Sequence, residues 1–227
     1  MRRYITEAIG TFFLMFTIGC TVLANAPLAP LAIGLVLTAM IFAGGHVSGA
    51  HYNPAVTLAV FVRGRIPGRD VGPYMLAQLV GAAAAAGAAR VVTGIRPAAA
   101  FSVTGGRLGA ALLAELLVTF ALAYVVLNVA TSSSHPHNSF YGLAIGATVL
   151  AGAVAVGGVS GGVFNPAVAV GVSAAGLVSW SMLWVYLVAN FAGGAIAGVV
   201  FRALHPTDIA TQPAPDAPAR PTAQRRR

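Results

Sequence analysis

The tripeptide Asn-Pro-Ala occurs twice in this chain, at Asn53-Pro54-Ala55 and at Asn165-Pro166-Ala167, and the two copies lie 112 residues apart. The stretches around them, GGHVSGAHYNPAV at residues 44–56 and VGGVSGGVFNPAV at residues 156–168, agree well beyond the tripeptide. Of the thirteen aligned pairs starting at Gly45 and Gly157, eight are identical. One Asn-Pro-Ala carries little information; two in matched glycine-rich settings, half a chain apart, mark an internal repeat. Any fold for this chain must build the same local structure twice.

The local structure follows from the residues. Asn is among the best helix N-caps, and Pro is favoured at the first helical position, where its missing N–H would be unpaired anyway. Each motif therefore starts a helix, which runs on through apolar residues 56–62 or 168–175 until Gly64 or Gly176 intervenes. About ten residues at about 1.5 Å each give about 15 Å, half of a hydrocarbon core of about 30 Å. These are half-helices, too short to span a bilayer alone.

A bilayer is where composition puts the chain. At 58% hydrophobic and 8% charged over 227 residues, with mean hydropathy +0.83, it is far more apolar than a soluble domain of this size. The net charge of +8 does not point to nucleic acid, because the thirteen basic residues are all Arg and gather at segment ends, not along one face. A single cysteine, Cys20, excludes an intramolecular disulfide and a cysteine-rich metal site. No cofactor is implied.

Six stretches are long enough to span: residues 4–24, 28–45, 71–92, 108–130, 140–158 and 180–204. The half-helices fall after the second and the fifth. The first stretch follows Arg2 and Arg3 like a secretory leader, but Glu7 sits early in it, and AELLVTFAL with Glu115 and Thr119 echoes TEAIGTFFL with Glu7 and Thr11. It is read as a retained span. With the N-terminus in the cytoplasm, ten arginines lie inside, against Arg90, Arg96 and Arg107 outside. The positive-inside rule fixes that orientation.

Each repeat holds three spans, an odd number, so the second is upside down relative to the first. The fold class is an all-α membrane protein with six transmembrane helices and two re-entrant half-helices in an inverted repeat, an architecture that places its site near the bilayer midplane. The channel domain is expected over residues 1–204, with repeat one at about 1–92 and repeat two at about 107–204. Residues 93–106 read as an outer loop and 132–138 as an inner one. The Arg- and Pro-rich residues 205–227 read as a disordered cytoplasmic tail. Gly194 and Gly198 suit close helix crossing.

These residues resemble the aquaporins, or major intrinsic proteins. The resemblance covers nearly the whole chain to about Leu204, and residues 45–57 closely match the family's first signature. It implies a homotetramer in the cell inner membrane, each protomer with its own pore, and passive passage of water and small uncharged solutes. The two Asn-Pro-Ala motifs would meet at the pore centre, half-helix N-termini converging with their positive ends. Carbonyls near residues 49–51 and 160–162 would offer acceptors along the way.

The family pattern also locates a selectivity filter at Ile33, Ala153, Gly162 and Val168. Here the sequence departs from the family. Most members carry an arginine where Val168 stands, water-selective members usually an aromatic and a histidine at the first two positions, and glycerol facilitators commonly an Asp where Ala169 stands. The four residues present have no charge, ring or side-chain donor. They imply a wide, apolar filter passing solutes such as glycerol or urea. Certain bacterial aquaporins associated with arsenic resistance also have valine there, so an arsenite-type metalloid channel is an alternative.

Other polar residues in the spans have structural readings. Glu7 and Glu115 suit paired struts for the re-entrant loops, and Gln78 and Asn190, again 112 apart, suit loop anchors. His46 and His51 are five apart, a poor spacing for two metal ligands on one helical face, and His51 is read as a loop support. Ser48 and Ser160 lack the partners of a nucleophile, so an enzyme is not expected. A secondary transporter would share the inverted repeat, but shows no coupling-ion site beyond the glutamates; a closed structural protein would not need small filter residues.

Overall fold

In the computed structural model, which describes residues 1–136 and 138–208, the chain is helical almost throughout. In order the helices are α1 (Arg2–Leu23), α2 (Ala29–Ser48), α3 (Pro54–Arg63), α4 (Gly68–Thr93), α5 (Arg107–Val126), α6 (Tyr141–Ser160), α7 (Pro166–Ala174) and α8 (Leu183–Leu204). A π turn, Leu127–Thr131, extends α5, and a 3₁₀ turn, Trp180–Met182, precedes α8. Among the described residues, six helices are long and apolar enough to cross a membrane, α3 and α7 being the short exceptions. The spans run up to three residues beyond the stretches read from hydropathy, because their ends carry Gly, Ser and Arg that hydropathy discounts but helix geometry accepts.

The outer surface has the polarity of a protein in lipid. Large apolar side chains are exposed in i, i+4 pairs, Ile5 with Ile9, Leu76 with Val80 and Leu113 with Leu117, each pair lying on one helix face. The interior instead holds Glu7, Thr11, Gln78, Glu115, Thr119 and Asn190 fully buried. Polar groups that far from water must be paired.

Packing repeats with the sequence. α1 lies along α4 as α5 lies along α8, while α2 and α6 pack on each other across the centre. That central crossing depends on glycine: a Cβ at Gly34 would stand 2.8 Å from the Gly146 carbonyl oxygen and 2.9 Å from Leu150 Cβ. Each half-helix packs mainly on a span of the other repeat, α3 on α8 and α7 on α4. Gly198 is one reason: a Cβ there would meet Val62 Cβ of α3 at 2.7 Å. The exchange ties the halves into one body, so neither repeat completes a core alone.

With an even number of spans, the start of α1 and the end of α8 share one face, called the terminal face below. On it Asp208 pairs with Arg63 at 2.8 Å and with Arg65 at 3.3 Å, and its carboxylate also accepts the Ser133 N–H at 3.0 Å. The Arg63 guanidinium further donates to the Thr131 hydroxyl and carbonyl and lies 4.6 Å from the centre of the Phe201 ring. The packed chain thus continues past Leu204 to Asp208. The remainder of the expected tail, from residue 209, lies outside the described residues, as does His137 of the inner loop.

Candidate functional site

The two re-entrant loops are held by two buried carboxylates. Glu7 Oε1 accepts from the Ser48 hydroxyl at 2.6 Å and the His51 N–H at 3.0 Å, and Oε2 from the Tyr52 N–H at 2.6 Å and Gln78 Nε2 at 2.8 Å. Glu115 repeats the set with Ser160 at 2.7 Å, Val163 N–H at 2.9 Å and Phe164 N–H at 2.7 Å. With its amide oriented by its neighbours, Asn190 donates to Glu115 at 3.1 Å and accepts the Asn165 N–H at 2.9 Å. Four donors on each carboxylate offset the cost of burying its charge.

Those bonds hold an unusual backbone. Ala50 and Tyr52 lie at φ 50° and 48°, and Phe164 at φ 51°, beside Gly49, Gly161 and Gly162 at positive φ. Left-handed conformations cost non-glycine residues about 1–2 kcal/mol each, and persist where neighbours over-determine them. Here the carboxylates do so, by drawing successive N–H groups to one side. The hydroxyls of Tyr74 and Tyr186, also 112 residues apart, donate to the Ser48 and Ser160 carbonyls at 2.8 and 2.7 Å. The Ser160 carbonyl, one of the expected acceptors, thus already takes one hydrogen bond and keeps one lone pair. Neither tyrosine stood out in the sequence, although both obey the repeat offset.

At the centre, Asn53 and Asn165 cap α3 and α7. Asn53 Oδ1 accepts the Ala55 N–H at 2.8 Å, and Asn165 Oδ1 the Ala167 N–H at 2.9 Å. Each amide then reaches across: Asn53 Nδ2 donates to the Phe164 carbonyl and Asn165 Nδ2 to the Tyr52 carbonyl, both at 2.9 Å. An amide nitrogen carries two hydrogens, so one on each side remains for a solute. Pro54, Ala55, Pro166 and Ala167 are buried behind the asparagines.

Two cavities of about 330 Å³ each approach this point from opposite faces. His51 is in the wall of both, and Asn53 and Asn165 are in the wall of one of them. Its Nδ1 lies 3.1 Å from the Thr57 hydroxyl, to which Gln78 Nε2 also donates at 3.0 Å. His46 is exposed on the last turn of α2 and is not brought to His51. The cavity toward the terminal face has Arg3 and Arg65 in its wall. The other contains Ile33, Ala153, Gly162 and Val168 together, and among the described residues the polar side chains around it belong to His51, Tyr52, Asn53 and Asn165. Sequence reasoning did not anticipate Phe101, which joins that wall from the loop after α4. Among the described residues no three His, Cys, Asp or Glu side chains gather as a metal site would require.

The N-termini of α3 and α7 thus face each other across the asparagine pair, with the positive ends of both helices at that point.

Comparison with known proteins places this arrangement. Residues 1–201 match the family model described as major intrinsic protein. The chain is 40% identical to aquaporin NIP1-1 of Zea mays over 213 residues, covering 87% of this chain and 72% of that protein. It is 36% identical to glycerol uptake facilitator protein-like 6 of Lactiplantibacillus plantarum over 219 residues, covering 92% of this chain and 100% of that protein. The solved aquaglyceroporin of Plasmodium falciparum has the same fold, with TM-score 0.74 at 24% identity, covering 88% of this chain and 94% of that one.

Proposed function

The chain belongs to the major intrinsic protein family, whose members are membrane channels and not enzymes, and from that premise we propose that it passes small uncharged solutes larger than water as well as water itself. It is a multi-pass membrane protein of a passive channel family. The path runs through both cavities and past Asn53 and Asn165. The observation that carries the solute reading is the wall made by Ile33, Ala153, Gly162 and Val168, which offers no charge, ring or side-chain donor. A solute such as glycerol or urea crosses it without competing for a fixed hydrogen bond, and exchanges water contacts for the asparagine amides and loop carbonyls at the centre.

Charge discrimination rests on the centre. The filter positions contribute no cation, so the positive ends of α3 and α7 and the low-dielectric walls supply the barrier to protons and cations. The terminal face, rich in arginine, is assigned to the cytoplasm by the positive-inside rule, and a homotetramer in the cell membrane follows from the family resemblance. Val168 in place of arginine also favours uncharged metalloid acids as a second solute class, since their size and neutrality meet the same wall.

Stopped-flow light scattering on proteoliposomes tests this with water, glycerol, urea and arsenous acid, beside Val168→Arg. The wild type should pass the larger solutes, and the arginine variant should lose them while keeping water. A wild type that passes water alone refutes the wide filter. Flux that saturates or follows a proton or sodium gradient would point to a coupled transporter.

A further inference from the structure

We propose that the cavity toward the terminal face is a binding site for a small phosphate-class oxyanion, held by Arg65 and Arg3, whose occupancy plugs the path to the asparagine pair. The plugging rests on the channel reading above, while the anion site stands on its own geometry.

Arg65 is placed by the end of a half-helix. Gly64 takes φ 89° and closes α3, and the Arg65 N–H donates to the Val60 carbonyl at 2.9 Å, so the backbone carrying the side chain is fixed. The side chain is 14% exposed, and its Nη2 lies 3.3 Å from Asp208 Oδ1. That carboxylate is already committed. The same oxygen takes Arg63 at 2.8 Å, and Oδ2 takes the Ser133 N–H at 3.0 Å. One negative charge therefore serves two guanidiniums. Among the described residues Arg65 Nε, sealed from solvent, has no acceptor, and an unmade hydrogen bond on a buried charged group is costly.

The surroundings supply no further carboxylate. Arg65 shares the cavity wall with Arg3, and among the described residues no Asp or Glu lines it. Arg3 pairs with Asp70 at 3.6 Å. Around the mouth the terminal face also carries Arg2, Arg63, Arg69 and Arg202, against Asp70 and Asp208. Farther in, Glu7 is fully buried and already holds four donors. Gly45, Ser48 and Gly49 add little bulk to a wall that encloses about 330 Å³. A guanidinium with an unused donor in a partly sealed, electropositive hollow matches the geometry and charge of an oxyanion, and salt screens such a pair less than a surface one.

The other cavity explains why such an ion would stay. No Arg, Asp or Glu is in its wall among the described residues. An anion moving on would leave both guanidiniums and shed water among aliphatic side chains, at high cost. A neutral solute meets neither the attraction nor the penalty. The occupied cavity shares His51 with the one that holds Asn53 and Asn165, so an ion resting there stands in the solute's way.

The full-length protein is reconstituted in phosphatidylcholine vesicles, and glycerol and water flux are followed by stopped-flow light scattering. Sodium phosphate, sulfate or chloride is present on both sides at equal ionic strength, so both orientations of the protein are sampled. Phosphate and sulfate should remove most of the flux in a saturable way, and chloride should not. In Arg65→Gln the half-inhibiting phosphate concentration should rise about tenfold to a hundredfold, the loss of one hydrogen bond to a charged group. Arg65→Lys should fall between, because it keeps the charge without the planar fork. Arg3→Gln leaves the Asp208 contacts intact and should shift inhibition the same way, so poor folding of an Arg65 variant does not hide the result. Equal effects of the three salts, or half-inhibition unshifted in both Gln variants, overturn the proposal. Vesicles containing phosphatidylglycerol separate the sources of the oxyanion. Flux that is low there without added phosphate and restored in Arg65→Gln assigns the site to a lipid headgroup; the same response as in phosphatidylcholine assigns it to a dissolved ion. If the wild type passes nothing, the channel reading fails by itself, and calorimetric titration of phosphate into the detergent-solubilised protein decides the site: binding heat lost in Arg65→Gln supports it, and no binding refutes it.

Discussion

Asp208 closes on Arg63 at 2.8 Å, and both side chains are nearly sealed from solvent, at 5% and 1% exposure. The pair joins the last described residue of the chain to the end of α3, and through Thr131 and Ser133 to the turn that follows α5. Burial would raise the Asp208 carboxyl, but the Ser133 N–H and the Arg63 guanidinium outweigh it and hold the group well below the usual carboxylate range. A depressed folded value means the contribution is complete above an ordinary aspartate pKa of about 4 and fades only as pH falls below it.

Asp208→Asn should therefore destabilise the protein at neutral pH, by about 2–3 kcal/mol, because Arg63 stays buried without its partner. Thermal unfolding in detergent should show the lower midpoint, with Arg63→Gln/Asp208→Asn recovering part of it. The wild-type midpoint should stay flat with respect to this pair between pH 8 and pH 5. A midpoint unmoved by Asp208→Asn would mean the pair is solvated in the membrane-bound protein.

Glu7→Gln and Glu115→Gln should each be strongly destabilising, and to similar extents. The amide NH₂ would face two donors in place of an acceptor, leaving buried groups unpaired at about 1–3 kcal/mol each. The left-handed loop residues would then lose what holds them. Reduced recovery of folded protein by size-exclusion chromatography and reduced flux per folded channel are expected for both. Normal flux in either variant would exclude the strut role for that carboxylate.

Gly34→Ala should separate α2 from α6, since its Cβ would press on the Gly146 carbonyl; overpacking of this kind costs about 1–3 kcal/mol. Gly87→Ala, where a Cβ meets nothing within 4 Å, should be close to neutral. Thermal midpoints of the two variants measured side by side give the comparison, and equal midpoints would show that the crossing can relax.

Some of this molecule was legible one residue at a time. The Asn-Pro pair sets an N-cap and a first helical turn from backbone chemistry alone, and α3 and α7 begin at Pro54 and Pro166 as that predicts. The 112-residue offset linked Glu7 with Glu115 only approximately, but linked Gln78 with Asn190 by position, because duplicated loops need duplicated supports. The same offset held Tyr74 and Tyr186, yet a tyrosine in an apolar span reads as packing until its hydroxyl is seen on the Ser48 or Ser160 carbonyl.

Other relationships depend on chain segments whose meeting is not encoded in any spacing. Phe101 sits in a loop of ordinary composition, and its place in the cavity wall arises from main-chain bonds to Leu177 and Ser179, which any residue types could make. Asp208 lies at the border of a stretch whose Pro and Arg content reads as tail, and it is held by the Ser133 N–H and by Arg63 and Arg65, at and just beyond the end of a half-helix packed against α8. The sequence by itself determined the membrane class, the repeat and the half-helices, because periodicity, capping and hydropathy act over a few neighbouring residues. Only the tertiary structure decided which loop lines the cavity that holds Asn53 and Asn165 and which charge closes the terminal face, because those contacts form between residues 76 and 145 positions apart, where close approach is set by how the helices cross.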